Sequence, residues 1–219
     1  MKTIDYTHGF KLSKKNFKNL FTASKQASTI KNYGLACSLN ILACEELIKS
    51  FVLHLKVLHP EISFIGMDEI FKNHIHKHKE LKGFLQSTNS GTEIFEFNIL
   101  EDSDEFLTRL TEDKIAEYQK EIKDIERVKK RTEIIRQFKV SVDDIFSWLK
   151  QANTEKNAGL YVGYDKNNNL WQSPQKFTKK QYKKEMNYTK LLKLHFDNAI
   201  DVTHFVKELR QRGLIEDEY

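Results

Sequence analysis

Residues 32–60 read NYGLACSLNILACEELIKSFVLHLKVLHP, and the fold turns on this stretch. Leu35, Leu39, Ile41, Leu42, Leu47, Ile48, Phe51, Val52, Leu55 and Leu58 cover nearly the whole circumference of a helix. A helix apolar on all sides is a buried helix. The pattern therefore predicts a central helix from about Asn32 to His59, closed by Pro60. Inside it stand Glu45, Glu46 and Lys49. At about 100° per residue, Leu35, Leu39, Leu42, Glu46, Lys49 and Leu53 share one stripe, while Glu45 shares another with Ile41, Ile48 and Val52. Charges inside a buried helix are costly unless paired.

Helical periodicity continues on both sides. Phe17, Leu20 and Phe21 place an apolar stripe on a lysine-rich helix from about Ser13 to Ile30. A third helix is expected from an Asp68 N-cap to about Gln86, followed by a polar loop, 87–91, and a partly extended segment, Ile94–Leu100. A long charged helix should cover about Glu112 to Lys139. Its narrow seam of Ile115, Tyr118, Ile122 and Ile125 suits a partner helix or a second copy of the chain. Ser141 reads as the N-cap of a helix through Phe146, Trp148 and Leu149. Residues 159–174 break the pattern and predict a short β-hairpin. A final helix, 178–212, begins at Thr178 with Gln181 in the capping-box position. The expected architecture is one domain, 1–219, an all-α bundle with a small β-hairpin insertion and the C-terminal helix packing on the bundle.

Composition agrees. Two prolines and eight glycines in 219 residues are too few for the turns of an all-β sandwich or barrel. With 39% hydrophobic and 31% charged residues the chain is highly charged yet able to form a core. No run of about 18 apolar residues occurs, so no membrane is expected, and MKTIDYTHGFKLSKK lacks the apolar region of a signal peptide. The default expectation is cytoplasmic. A net charge of +5 is compatible with nucleic acid without being diagnostic of it. Cys37 and Cys44 lie two turns apart on one helix, about 10 Å and beyond disulfide reach, so buried free thiols are expected.

The third helix repeats the oddity of the second. In Phe71-Lys-Asn-His74-Ile-His76-Lys77-His78-Lys79, His74 and His78 fall within the apolar arc through Met67, Phe71, Leu81 and Leu85, and Lys77 flanks it. One reading is a buried ion pair, Glu46 with Lys49, capped by a histidine. Another is a polar catalytic pocket in which a glutamate positions His74 for proton transfer near neutrality and lysines hold phosphate. A metal site is the third, since His74 and His78 have the i,i+4 spacing of zinc ligands, but no further ligand set accompanies them. Nothing resembles a phosphate-binding loop, a dinucleotide fingerprint or a nucleophile triad, so no cofactor and no metal is expected. Lys129, Lys130 and Arg131, and Lys179 and Lys180, form basic runs that suit RNA or simply solvent.

Three motifs in order, Leu42-Ala-Cys-Glu45-Glu46-Leu-Ile-Lys49, Phe71-x-x-His74-x-x-Lys77 and Gly159-Leu-Tyr161-Val-Gly-Tyr-Asp165 with Trp171 and Pro174, resemble the AbiV family of abortive-infection proteins in the HEPN superfamily. The resemblance implies a helical HEPN bundle, a homodimer, and an antiphage effector that shuts down translation when a phage-encoded protein triggers it. It also implies a metal-independent endoribonuclease acting on tRNA, rRNA or mRNA. Carried over by position, Glu45, Glu46, Lys49, His74 and Lys77 are the catalytic candidates, and Tyr161 joins the RNA-binding ones. The superfamily's ribonucleases commonly carry an arginine followed four to six residues later by histidine, and none of this chain's six arginines is so followed. Chemistry would then rest on His74 as base or acid. A non-catalytic module that senses a phage protein and blocks translation by binding is the alternative.

Overall fold

The computed structural model describes residues 4–58, 60, 119–137, 142–167 and 169–211. The described residues form five α-helices, one two-stranded sheet and a 3-10 turn. The chain is all-α with a small β-hairpin, as its periodicity predicts. They fall into two compact units, one containing residues 1–84 and 140–190, the other 85–139 and 191–219.

In the first unit, α1 (Tyr6–Thr29) and α2 (Tyr33–Leu58) form a helical hairpin. Asp5 caps α1 by accepting from the His8 amide at 2.9 Å, so the helix starts earlier than the apolar stripe alone indicates. Lys31, at φ 61°, turns the chain in the left-handed region, and Asn32 caps α2 by accepting from the Leu35 amide. Such a short connection makes the two helices antiparallel neighbours. Ser24 ties them by donating to the Ala36 carbonyl at 2.7 Å. The interior of α2 is as buried as its composition demands: Ala36, Cys37, Ile41, Ala43, Cys44, Ile48 and Phe51 are all but inaccessible.

Helix α3 (Gln119–Gln137) belongs to the second unit, and α4 (Val142–Leu160) to the first. Ile145, Trp148, Leu149, Ala152, Lys156 and Gly159 are buried at helical spacing, one face of α4. Gly159 explains why α4 runs to Leu160, where β-favouring Leu-Tyr-Val suggests strand. A Cβ on Gly159 would stand 2.5 Å from the Gly34 carbonyl oxygen, and one on Gly34 would stand 2.5 Å from the Pro174 carbonyl oxygen. The α2–α4 crossing thus brings backbone against backbone, which only glycine permits.

The hairpin is shorter than 159–174. Strands β1 (Gly163–Asp165) and β2 (Leu170–Gln172) pair antiparallel, with Tyr164 opposite Trp171. Helix α5 (Lys179–Gln211) begins at the predicted cap, Thr178 accepting from the Gln181 amide at 3.2 Å. Tyr182 and Met186 of α5 join Ala27, Ala36 and Cys37 in one apolar cluster of the first unit.

In the second unit, α3 buries Ile125, Val128 and Thr132. Arg131 donates to the Asp197 carbonyl at 3.1 Å and pairs with Asp201, and Asn198 donates to Thr132 at 3.1 Å. Among the described residues no helix is long and apolar enough to cross a membrane.

Candidate functional site

The three charges of α2 separate into two groups with different surroundings. Glu45, 3% exposed, points into the interface with α4. There Lys156 Nζ donates to its Oε1 at 2.9 Å, both side chains nearly excluded from solvent. Ser38, two turns before Glu45, donates to the Lys156 carbonyl at 2.8 Å and to the Gly34 carbonyl at 3.1 Å. Gly34, Ser38 and Glu45 of α2 therefore meet Lys156 and Gly159 of α4 along one seam. Opposite charge at this distance in a low-dielectric interior is the condition under which a buried carboxylate is tolerated.

Glu46 and Lys49 form the other group. They pair at i,i+3 and keep 16% and 19% of their side chains exposed. The α2 seam therefore carries its buried charge at Glu45, while Glu46 and Lys49 lie at its edge. Glu46 lines an open groove of about 360 Å³ with Leu12, Ser13, Lys15, Asn16 and Asn19 of α1. A buried Glu46–Lys49 pair was one of the readings the sequence offered; the pair forms, but at the solvent edge, and the buried Glu45 has a partner 111 positions away that local periodicity does not disclose.

Beside this seam lies a second polar cluster. Glu185 on α5 is 2% exposed, and neither of its carboxylate oxygens has a hydrogen bond of normal geometry among the described residues. Burial, and then the neighbouring Glu155 carboxylate, push it up to about 8, while the Cys37 thiol, Gln181 and Lys184 favour its charged form less strongly. Glu155 on α4 is raised by burial against the opposing pull of Lys184 and Trp148. Cys37 is raised by burial and by Glu185, and Cys44 by burial and by Glu45, so both free thiols are held protonated. Protonated buried thiols are poor nucleophiles. Among the described residues no three His, Cys, Asp or Glu side chains are grouped as a metal ion requires.

A family model for AbiV, a HEPN family, matches residues 5–193, the span holding α1 to α4, the hairpin and the first part of α5. The chain belongs to the AbiV family. No curated protein and no solved structure matches it.

In this AbiV protein the motif positions are distributed unequally. Glu45, Glu46 and Lys49 lie on α2 as predicted, whereas His74, Lys77 and the remaining third-helix positions, with Ile115 and Tyr118 of the charged seam, fall outside the described residues. Tyr161 is 65% exposed just after α4. Tyr164 and Trp171 meet in a tilted pair across the hairpin with centroids 5.1 Å apart, and both are exposed, Trp171 at 69%. Lys130, Lys179 and Lys180 are exposed and Lys129 half-buried. Arg131 is engaged by α5 through Asp197 and Asp201, which removes it from the set of open cations.

Three features were missed from the sequence. Lys156 lies between the helix read through Leu149 and the hairpin expected from 159, and with Ala152 and Gly159 it completes the buried face of α4. Glu185 occupies a buried position between Tyr182 and Met186, the same interior-facing charge pattern noticed on α2. The third is the alignment of the lysines of α1, a helix the sequence marks as lysine-rich.

Proposed function

We propose that this AbiV protein is an antiphage abortive-infection effector, a metal-independent endoribonuclease that shuts down translation when a phage-encoded protein triggers it in the cytoplasm. Family membership supports the abortive-infection role. The observation that carries the chemical reading is the division of the α2 motif. Glu45 is locked to Lys156 inside the fold, while Glu46 lines a solvent-open groove that a substrate can reach and holds the partly exposed Lys49 as its ion-pair partner.

The proposed reaction is transesterification within RNA. A ribose 2′-hydroxyl attacks the adjacent phosphorus, and its proton passes to His74. The P–O5′ bond breaks, the leaving oxygen takes a proton from solvent water, and a 2′,3′-cyclic phosphate remains. Lys49 or Lys77 stabilises the extra negative charge of the crowded phosphorane, and Glu46 orients these groups. The nucleophile is internal to RNA, so no metal-activated water is needed. A homodimer, which the superfamily resemblance implies, would place two copies of the motif in one assembly.

The second reading, a module that binds a phage protein and blocks translation without cleaving RNA, draws on a specific observation. Glu45, Glu46 and Lys49 are all already engaged in ion pairs. Total bacterial RNA incubated with the protein in EDTA, with and without lysate of phage-infected cells, separates the two. Discrete fragments ending in cyclic phosphate, absent with His74→Ala, are expected. Intact RNA in every lane, from protein that protects cells against phage, would leave only the binding module.

A further inference from the structure

The surface of α1 is chemically unlike that of any other described helix. Over Tyr6–Thr29 it carries Lys11, Lys14, Lys15, Lys18 and Lys25 and no Asp or Glu. These five charges equal the formal net charge of the whole chain, +5, so the remaining residues balance. By contrast α3 interleaves its basic residues with Glu121, Asp124, Glu126 and Glu133, and Arg127 pairs with Asp124 at 2.6 Å. The basic excess of this protein is concentrated rather than spread.

It is also aligned. At 100° per residue the five lysines fall within an arc of about 100°, and at 1.5 Å per residue they extend over about 21 Å. All five are exposed. None has a carboxylate partner among the described residues; Lys14 and Lys25 instead lie over the rings of Phe10 and Phe21, 5.2 and 4.5 Å from the centroids. Those contacts brace the lysine stems without neutralising the charge. The opposite face of α1 is committed to the fold through Phe17, Ser24 and Ala27. The ridge runs beside the groove at Glu46, to which Lys15, Asn16 and Asn19 contribute.

We propose that the α1 lysine ridge is the docking rail for the phosphodiester backbone of a single-stranded RNA, delivering the strand to the groove lined by Glu46. The inference rests on the ribonuclease reading and gives that reading a substrate-binding surface distinct from the basic runs on α3 and α5. A row of like charges with no internal counter-charge fits a polyanion of regular charge spacing. The amide side chains of Asn16 and Asn19, at the groove end, offer donors and acceptors to bases or ribose. Of the large apolar side chains of α1 Leu12 is exposed and the others are buried or half-buried, so the ridge has no continuous hydrophobic stripe with which to enter a bilayer.

The test is a salt titration of binding to a fluorescent, uncleavable 20-nucleotide 2′-O-methyl RNA. It compares wild-type protein, the triple variant Lys11→Gln/Lys15→Gln/Lys18→Gln and the control Lys179→Gln/Lys180→Gln/Lys183→Gln. Each phosphate contact contributes about 0.7 to the log–log salt slope on a single strand, so the α1 variant should lose about 2 from that slope and the control should lose little. Thermal melting should be unchanged in both, since every substituted side chain is exposed. An unchanged slope in the α1 variant, or a larger loss in the control, would overturn the rail. Vesicles containing anionic lipid are run in parallel, and binding to them but not to RNA would also overturn it. Cleavage of natural RNA in EDTA is scored separately. Cleavage with an unchanged slope refutes the rail alone, whereas RNA binding through α1 without cleavage refutes the ribonuclease reading alone.

Discussion

Lys156 Nζ lies 2.9 Å from Glu45 Oε1, and this contact joins two helices through side chains 111 residues apart in the chain. Each charge is nearly inaccessible, so each depends on the other. Removing one partner of such a pair leaves an uncompensated charge in a low-dielectric interior, at a cost of about 3–5 kcal/mol. Glu45→Gln and Lys156→Met should each lower the melting temperature by about 6–20 °C, at 2–4 °C per kcal/mol for a domain of this size. The double variant Glu45→Leu/Lys156→Met should be more stable than either single variant, because a hydrophobic pair of similar volume carries no desolvation cost. Additive losses, with Glu45→Leu as the matching single variant, would mean that the two side chains are not energetically coupled.

The backbone crossing above that pair makes a second prediction. Gly159→Ala places a methyl group 2.5 Å from the Gly34 carbonyl oxygen, so α2 and α4 must separate. Alanine favours helix over glycine by about 1 kcal/mol, yet overpacking costs about 1–3 kcal/mol, and the backbone here has nowhere to yield. Gly159→Ala is therefore expected to destabilise. Gly163→Ala is the control, since a Cβ there meets nothing within 4 Å. Equal melting temperatures for the two variants would show that the crossing has room to open.

How much of this was legible beforehand depends on the range of the interaction. Helix α2 was readable almost to the residue, Tyr33–Leu58 against an expected 32–59, because burial on all sides writes itself into local composition. The Thr178 cap of α5 was legible for the same reason: its signal lies within four residues. The start of α1 was placed late because its first turns carry the lysine face rather than the apolar stripe, and the Asp5 cap precedes both. The end of α4 was read as strand because Leu160-Tyr161-Val162 favours β structure locally, whereas Gly159 answers to Gly34 across the fold. The interruption at Glu45 marked where polar chemistry enters the interior, whereas the one at Glu46 and Lys49 lies at the solvent edge. They did not disclose that Glu45 answers to Lys156 and not to its neighbour Lys49.

Glu185 makes stability fall with rising pH. Its folded-state pKa, about 8, stands above the ordinary 4.5, so the native protein holds a proton that the unfolded chain releases. The stabilisation is complete below about 4.5 and is lost as pH climbs to about 8. Glu155, also raised by burial, acts with the same sign, and Lys184 beside both opposes it. His195 has the opposite sign on the acid side: burial lowers its pKa from 6.5, so stability increases as pH rises toward that value. Glu185→Gln should therefore raise the melting temperature more at pH 8.5 than at pH 5 and flatten the profile between them. A wild-type profile rising from pH 6.5 to 8 would contradict this account.

Glu46 and Glu45 are adjacent in sequence, and the structure predicts that their neutral variants fail in different ways. The Glu46–Lys49 pair retains solvent contact, and ion pairs of that kind contribute about 0–1 kcal/mol. Glu46→Gln should thus melt within about 4 °C of wild type, where Glu45→Gln melts well below it. On the proposed mechanism Glu46 is a positioning residue for the proton-transfer and phosphate-binding groups, so Glu46→Gln should lower RNA cleavage by about 10²-fold or more. On that mechanism it should also displace the pH–rate profile, because the proposed proton-transfer group would lose an orienting carboxylate. A purely structural Glu46 would leave that profile in place. Full cleavage by Glu46→Gln, with an unshifted profile, would confine the α2 motif to holding helices together and move the chemistry elsewhere.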